Sequence, residues 1–207
     1  KGETLTEKML IDGVLTLFSH LTDPVSHALG SRLYGRLAGE YWYRINGLLL
    51  AEALDLISSS PRNTLAVFHL PLPHGPFVFN EDGTYFPASF LEGDRSDGPP
   101  AWYRRHLRYL DRVIGRITDA LHASGRFDDA LVIMTSDHGW RFEPDAAPEE
   151  LLHVPLIVKL PRQKTPAVIR EPFELTRLRR IIEPVFDGEA DPAALLRALK
   201  APRSLSP

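Results

Sequence analysis

Ala130-Leu-Val-Ile-Met-Thr135-Ser-Asp137-His138-Gly139 is the stretch that decides the fold. Its first six residues are apolar or β-branched without a break, the pattern of a strand buried on both faces. Asp128-Asp129 supplies a turn into it. Two more runs have the same character: Thr64-Leu-Ala-Val-Phe-His-Leu70, bounded by Pro61 and Pro71, and Val154-Pro-Leu-Ile-Val-Lys-Leu160. Between the first and second runs, His106, Leu107, Leu110, Val113, Ile114, Ile117 and Leu121 recur at steps of three and four. That spacing predicts a helix over about 99–124, with Gly125 as its stop. Strand, helix, strand, strand predicts an α/β fold with a largely parallel sheet. Ligands in such sheets sit at the carboxyl ends of the strands.

Working outward, the first 45 residues read as helical but broken, because Gly13, Gly30, Gly35, Gly39, Gly47 and Pro24 interrupt them. Tyr34 and Tyr41-Trp42-Tyr43 lie among arginines there and read as helix-to-core packing, with a binding face as the alternative. Leu48, Leu49, Ala53, Leu56 and Ile57 continue a stripe that Ser58-Ser59-Ser60-Pro61 ends. Residues 71–100 form a long Pro- and Gly-rich loop, a length that points to function or disorder. Two helices, over 174–186 and 191–200, close the chain. The expected division is a helical region, 1–60, ahead of an α/β part, 61–207, together one domain.

Composition excludes several classes. A net charge of -3 gives no electrostatic case for nucleic acid or an anionic membrane surface. No apolar run reaches the ~18 residues of a spanning helix; the nearest, 9–21 and 47–57, are short and interrupted by polar side chains. With no cysteine, disulfides, thiolate zinc sites and cysteine nucleophiles are excluded. Lys1-Gly2-Glu3 shows neither an initiator Met nor a leader, so the expectation is a piece of a longer protein.

The chemistry-bearing residues cluster after the strands. Asp137 and His138 leave the sheet together, so a carboxylate and an imidazole can reach one divalent cation, and Gly139 lets the backbone turn tightly. The same dipeptide also fits an Asp capping a turn beside an incidental His. His69-Leu-Pro-Leu-Pro-His74-Gly-Pro76 follows the first run, and its prolines stiffen the segment that carries His74. An imidazole held there can contact an anionic oxygen or protonate a leaving group; a Pro-rich connector with structural histidines is the plainer reading. His69 reads as packed beneath the loop. His153, just before the third run, either faces the site or caps the sheet. His20, His27, His106 and His122 read as surface or core-edge residues, and Asp111 as a buried structural carboxylate.

Tyr103, Asp111, Gly115, Leu121, Gly125 and Asp128, then Leu131-Val-Ile-Met-Thr-Ser-Asp-His-Gly139 and Val154-Pro-Leu-Ile-Val158, resemble the carboxyl-terminal half of sulfatase-like proteins of the alkaline phosphatase superfamily. The segment ending at His74-Gly-Pro76 is similar to that family's substrate-contacting histidine motif. The resemblance spans about 60–186 and implies part of a three-layer alkaline-phosphatase-like sandwich. It implies metal-dependent hydrolysis or transfer of sulfate or phosphate esters, with Asp137 and His138 as metal ligands and His74 and His153 at the substrate. One divalent ion is implied, because residues 140–152 hold no further His. The mixed oxygen and nitrogen donors fit manganese, calcium or zinc, in that order.

The resemblance also implies an amino-terminal nucleophile that residues 1–60 do not show, so the isolated chain is expected to be inactive. A non-catalytic binding or structural domain that keeps the fold is the alternative. The His-Leu-Pro-Leu-Pro-His combination resembles a bacterial group whose domain follows membrane helices, which implies an extracytoplasmic location. A strand edge left open predicts self-association, or cover from residues 1–58, and two protein ligands predict weak metal affinity.

Overall fold

A computed structural model of the chain describes residues 24–86, 101–139 and 153–201, with side chains described from residue 37 onward. The apolar stretch 9–21, His20, the loop 140–152 and the later part of the 71–100 loop lie outside the described residues, as do the side chains of His27 and Tyr34. The chain divides into two units: residues 1–60 with 66–120, and residues 61–65 with 121–207.

In the first unit, α1 (Pro24–Ser59) is one continuous helix. The breaks expected at Gly30, Gly35, Gly39 and Gly47 do not occur. An internal glycine costs about 1 kcal/mol of helix propensity, which is a tax on a helix and not a stop. Asn46, Leu50, Ala53 and Ile57 form its buried stripe, whereas Leu48 and Leu56 of the expected stripe are exposed. The second helix, α2 (Ala101–Ala123), matches its expected span and buries His106 and Val113. Gly125 ends it as expected: its φ is +68°, and its amide donates to the His122 carbonyl at 2.9 Å. That is the left-handed cap glycine tolerates best.

The loop after residue 71 is partly ordered into a small hairpin that sequence reasoning missed. Phe79 bridges Tyr85 in antiparallel fashion, and Asn80-Glu81-Asp82-Gly83 makes the turn. The Thr84 amide and hydroxyl both donate to Asp82 Oδ1, at 2.9 and 2.6 Å. These bonds hold the Asp82 carboxyl below its ordinary range, the Thr84 hydroxyl contributing most. The hairpin is aromatic on its inner side. Phe79 stacks on Tyr109 of α2 at 4.6 Å, and Tyr43 of α1 lies 5.2 Å from both Phe79 and Tyr85. The Tyr41-Trp42-Tyr43 cluster therefore does pack inward, at least through Tyr43.

In the second unit, β1 (Val132–Thr135) and β2 (Leu156–Lys159) form a two-stranded sheet. They pair antiparallel, with Val132 opposite Lys159 and Thr135 opposite Leu156. The largely parallel sheet expected from the sequence is not found among the described residues. Parallel neighbours need a long crossover, usually a helix, and no helical pattern lies between these two runs. The run over 64–70 is not a strand at all. Residues 64–70 are extended and open, with Leu65 63% and Val67 85% exposed. Their apolar composition demands burial, but burial of a strand needs partners, and no described strand pairs with this one.

One face of the β1–β2 pair, carrying Leu131, Ile133, Leu156 and Val158, packs on a core of Leu160, Leu178, Ile181, Leu195 and Leu199. Leu160 directly follows β2, and the others come from a 3₁₀ turn (Leu175–Leu178) and helices α3 (Arg179–Phe186) and α4 (Pro192–Lys200). Asp191 caps α4, accepting from the Ala193 and Ala194 amides at 3.0 and 3.1 Å, an arrangement worth about 1 kcal/mol. At the far end of the sheet, the Lys159 ammonium donates to the carbonyls of Phe127, Asp128 and Ala130. Burial lowers its pKa, and the Asp128 and Asp129 charges oppose that drop.

Candidate functional site

Asp137 and His138 sit where β1 ends, as the sequence predicts. Ser136 Oγ donates to the His138 carbonyl at 3.0 Å and holds the turn. His138 Nδ1 faces the Gly139 carbonyl at 2.8 Å. A carbonyl only accepts, so Nδ1 carries a proton and Nε2 of the neutral ring keeps its lone pair. That Nε2 lies 3.8 Å from Asp137 Oδ1. The Asp137 side chain is 72% exposed and that of His138 29%. A carboxylate and an imidazole lone pair thus face the same space beside the chain, which is the donor set of a divalent cation of intermediate hardness.

The register adds His153. Thr135 opposes Leu156, so the residues preceding β2 run alongside those following β1. His153, three residues before β2, therefore belongs to the same end of the sheet as Asp137 and His138, and its side chain is exposed. Among the described residues, however, no three His, Asp or Glu side chains converge tightly enough to hold a metal ion. The residues present supply two donors of suitable type.

His74 belongs to the first unit. It lies between two cis prolyl bonds, Leu72–Pro73 and Gly75–Pro76. Its Nδ1 faces the Gly75 carbonyl at 2.5 Å, the arrangement His138 makes with Gly139. Its ring is exposed on one side and stacks on Trp42 of α1, with centroids 6.1 Å apart and planes 25° from parallel. Trp42 in turn meets Tyr41 edge-on at 6.5 Å.

Other histidines depart from expectation. His69 is exposed rather than packed beneath the loop, because the segment around it is itself open; it lines a shallow groove with Leu49, Ala53, Leu56 and Phe68. Asp111 is exposed on α2, one position off the buried stripe of His106 and Val113, so it needs no buried partner. His122, by contrast, is exposed as expected and stacks on Phe127 at 3.8 Å. His106, read as a surface or core-edge residue, is only 1% exposed. Its place in the apolar stripe of α2 was the signal that could have found it. Its Nε2 accepts the Phe79 amide at 3.1 Å. Burial lowers its pKa to about 4; the Pro73 carbonyl opposes that shift without a well-formed hydrogen bond to Nδ1, and the Arg105 charge adds to it. Such a histidine stays neutral and structural near pH 7.

The family model for sulfatases matches residues 18–179 of the chain. No curated protein and no solved structure matches it.

Proposed function

Since this chain belongs to the sulfatase family, an α/β family whose activity is sulfate ester hydrolysis and which generally uses a divalent metal, we propose that it supplies the metal-binding and substrate-contacting part of a metal-dependent hydrolase or transferase of sulfate or phosphate esters. The observation that carries this reading is the pair formed by Asp137 Oδ1 and His138 Nε2, 3.8 Å apart, with His138 Nδ1 committed to the Gly139 carbonyl. These two residues would hold the ion. Bound there, it would polarise the ester and lower the pKa of the attacking group. The mixed oxygen and nitrogen donors fit manganese, calcium or zinc, in that order.

His74 is assigned to the substrate. With Nδ1 held by Gly75, its Nε2 is the nitrogen left to act, either donating to an anionic oxygen or protonating the leaving group. His153, exposed at the same end of the sheet as Asp137, is a second substrate contact in this reading. Sulfate and phosphate monoesters both present tetrahedral anions to these residues. In the intact protein, Asp137→Ala should abolish turnover of aryl sulfate and aryl phosphate esters while circular dichroism stays unchanged. Turnover that survives the substitution would sink the assignment, and inactivity of the unsubstituted protein on every ester tried would favour a non-catalytic domain.

A further inference from the structure

We propose that Trp42 is a positioning residue for His74: its indole fixes the imidazole plane so that Nε2 points outward in one direction. The inference rests on the anion-contacting role given to His74 above, and names the residue on which that role depends. Three observations meet at this point. The two rings stack at 6.1 Å with planes 25° apart, within the range of productive offset stacking. His74 Nδ1 is tied to the carbonyl of its own neighbour, Gly75, at 2.5 Å. Apart from Trp42 and Gly75, no residue makes a ring contact or hydrogen bond to this imidazole among the described residues.

Each contact alone leaves freedom. A hydrogen bond to the adjacent carbonyl restrains one ring atom, but rotation about the Cα–Cβ bond with the loop can carry ring and carbonyl together. A stacked indole fixes a plane and does not choose which nitrogen points where. Together they define plane and direction, as an imidazole that must meet an oxygen requires. Trp42 is suited to this because its own position is set from elsewhere. It is on α1, Tyr41 meets it edge-on, its carbonyl accepts the buried Asn46 Nδ2 at 2.8 Å, and the next residue, Tyr43, is locked against Phe79 and Tyr85. The Trp42 face thus belongs to a helix, whereas His74 belongs to a loop.

The test uses the 207-residue chain with isotope-labelled histidine, His74 being assigned by the signal lost in His74→Gln. Inorganic sulfate is the anion probe. In the unsubstituted chain the indole ring current should displace the His74 ring proton signals from free histidine values, and sulfate should shift them further. Trp42→Leu should move those signals to free histidine values and weaken the sulfate response about three- to tenfold, the scale of one lost ring contact. Trp42→Phe should restore most of both, which a general loss of folding would not. Unchanged His74 signals in Trp42→Leu, or no rescue by Trp42→Phe in a folded chain, overturn the inference. A Trp42→Leu effect on the ring signals without any response to sulfate in the unsubstituted chain would uphold the ring contact and overturn its use for an anion, and with it the role of His74. Unaltered ring signals with an intact sulfate response would remove Trp42 alone.

Discussion

The Phe79 amide donates to His106 Nε2 at 3.1 Å, so the hairpin of the first unit hangs on the lone pair of a buried imidazole. Protonation would replace that acceptor with a second N–H and place a charge beside the rings of Phe77 and Phe79, 5.0 and 5.4 Å away. The pKa of His106 falls to about 4 in the folded chain, against about 6.5 when unfolded. Between those values the unfolded chain binds more protons, so stability falls as pH falls.

The contribution of His106 is fully present above about pH 6.5 and lost progressively toward pH 4, on the order of 3 kcal/mol in total. Urea unfolding at several pH values should show this loss. In His106→Gln, which keeps an acceptor for Phe79, the slope over that window should flatten even if stability at neutral pH drops. An identical slope in both proteins would place the acid sensitivity elsewhere.

Gly83 is irreplaceable for two separate reasons. Its φ is +85°, and a Cβ there would collide with Tyr109 Cε2. Tyr109 cannot yield freely because it stacks on Phe79 at 4.6 Å. Gly83→Ala should cost about 3 kcal/mol, combining left-handed backbone strain with displacement of the ring. In a Tyr109→Leu background the same substitution should cost only the backbone part, about 1–2 kcal/mol. Equal costs in both backgrounds would show that the ring gives way without penalty.

Lys159 closes the end of the sheet opposite the candidate site. Its ammonium gathers the carbonyls of Phe127, Asp128 and Ala130 and lies 4.7 Å over the Phe127 ring. Lys159→Met keeps the apolar stem and removes the donors, at a cost of about 1–3 kcal/mol. Thermal unfolding of the second unit should fall accordingly. Because the lysine is remote from Asp137 along β1, metal binding should be unchanged.

How much of this was legible depended on whether the signal was local. The α2 stripe carries its own periodicity, and Gly125 its own stop signal, so both stood out. The two strands stood out as apolar runs, but apolarity does not encode direction, and the antiparallel pairing was missed. The same blindness made residues 64–70 look like a buried strand, since a sequence states what a segment would bury and not whether a partner pairs with it. The 77–86 hairpin was missed although Asn80-Glu-Asp-Gly83 is a turn signal between alternating aromatics. At the candidate site, Asp137 and His138 were legible because they are adjacent. The place of His153 followed only from the register, and the Trp42–His74 stack only from the packing of α1.

Metal binding is the sharpest check on the second unit. Asp137 and His138 offer two protein donors, and no third joins them among the described residues. Water would have to complete the shell of a cation that prefers six or more ligands. Manganese should therefore bind this chain more weakly than about micromolar, roughly -8 kcal/mol on the affinity scale. Asp137→Ala and His138→Ala should each remove the calorimetric signal without moving the thermal unfolding midpoint, since Asp137 is mostly exposed and the His138 hydrogen bond is local. His153→Ala separates two arrangements. If His153 only contacts substrate, its loss leaves manganese affinity as it was. If affinity falls with it, or if the unsubstituted chain binds tighter than about micromolar, the end of the sheet closes on the ion and His153 is the third ligand.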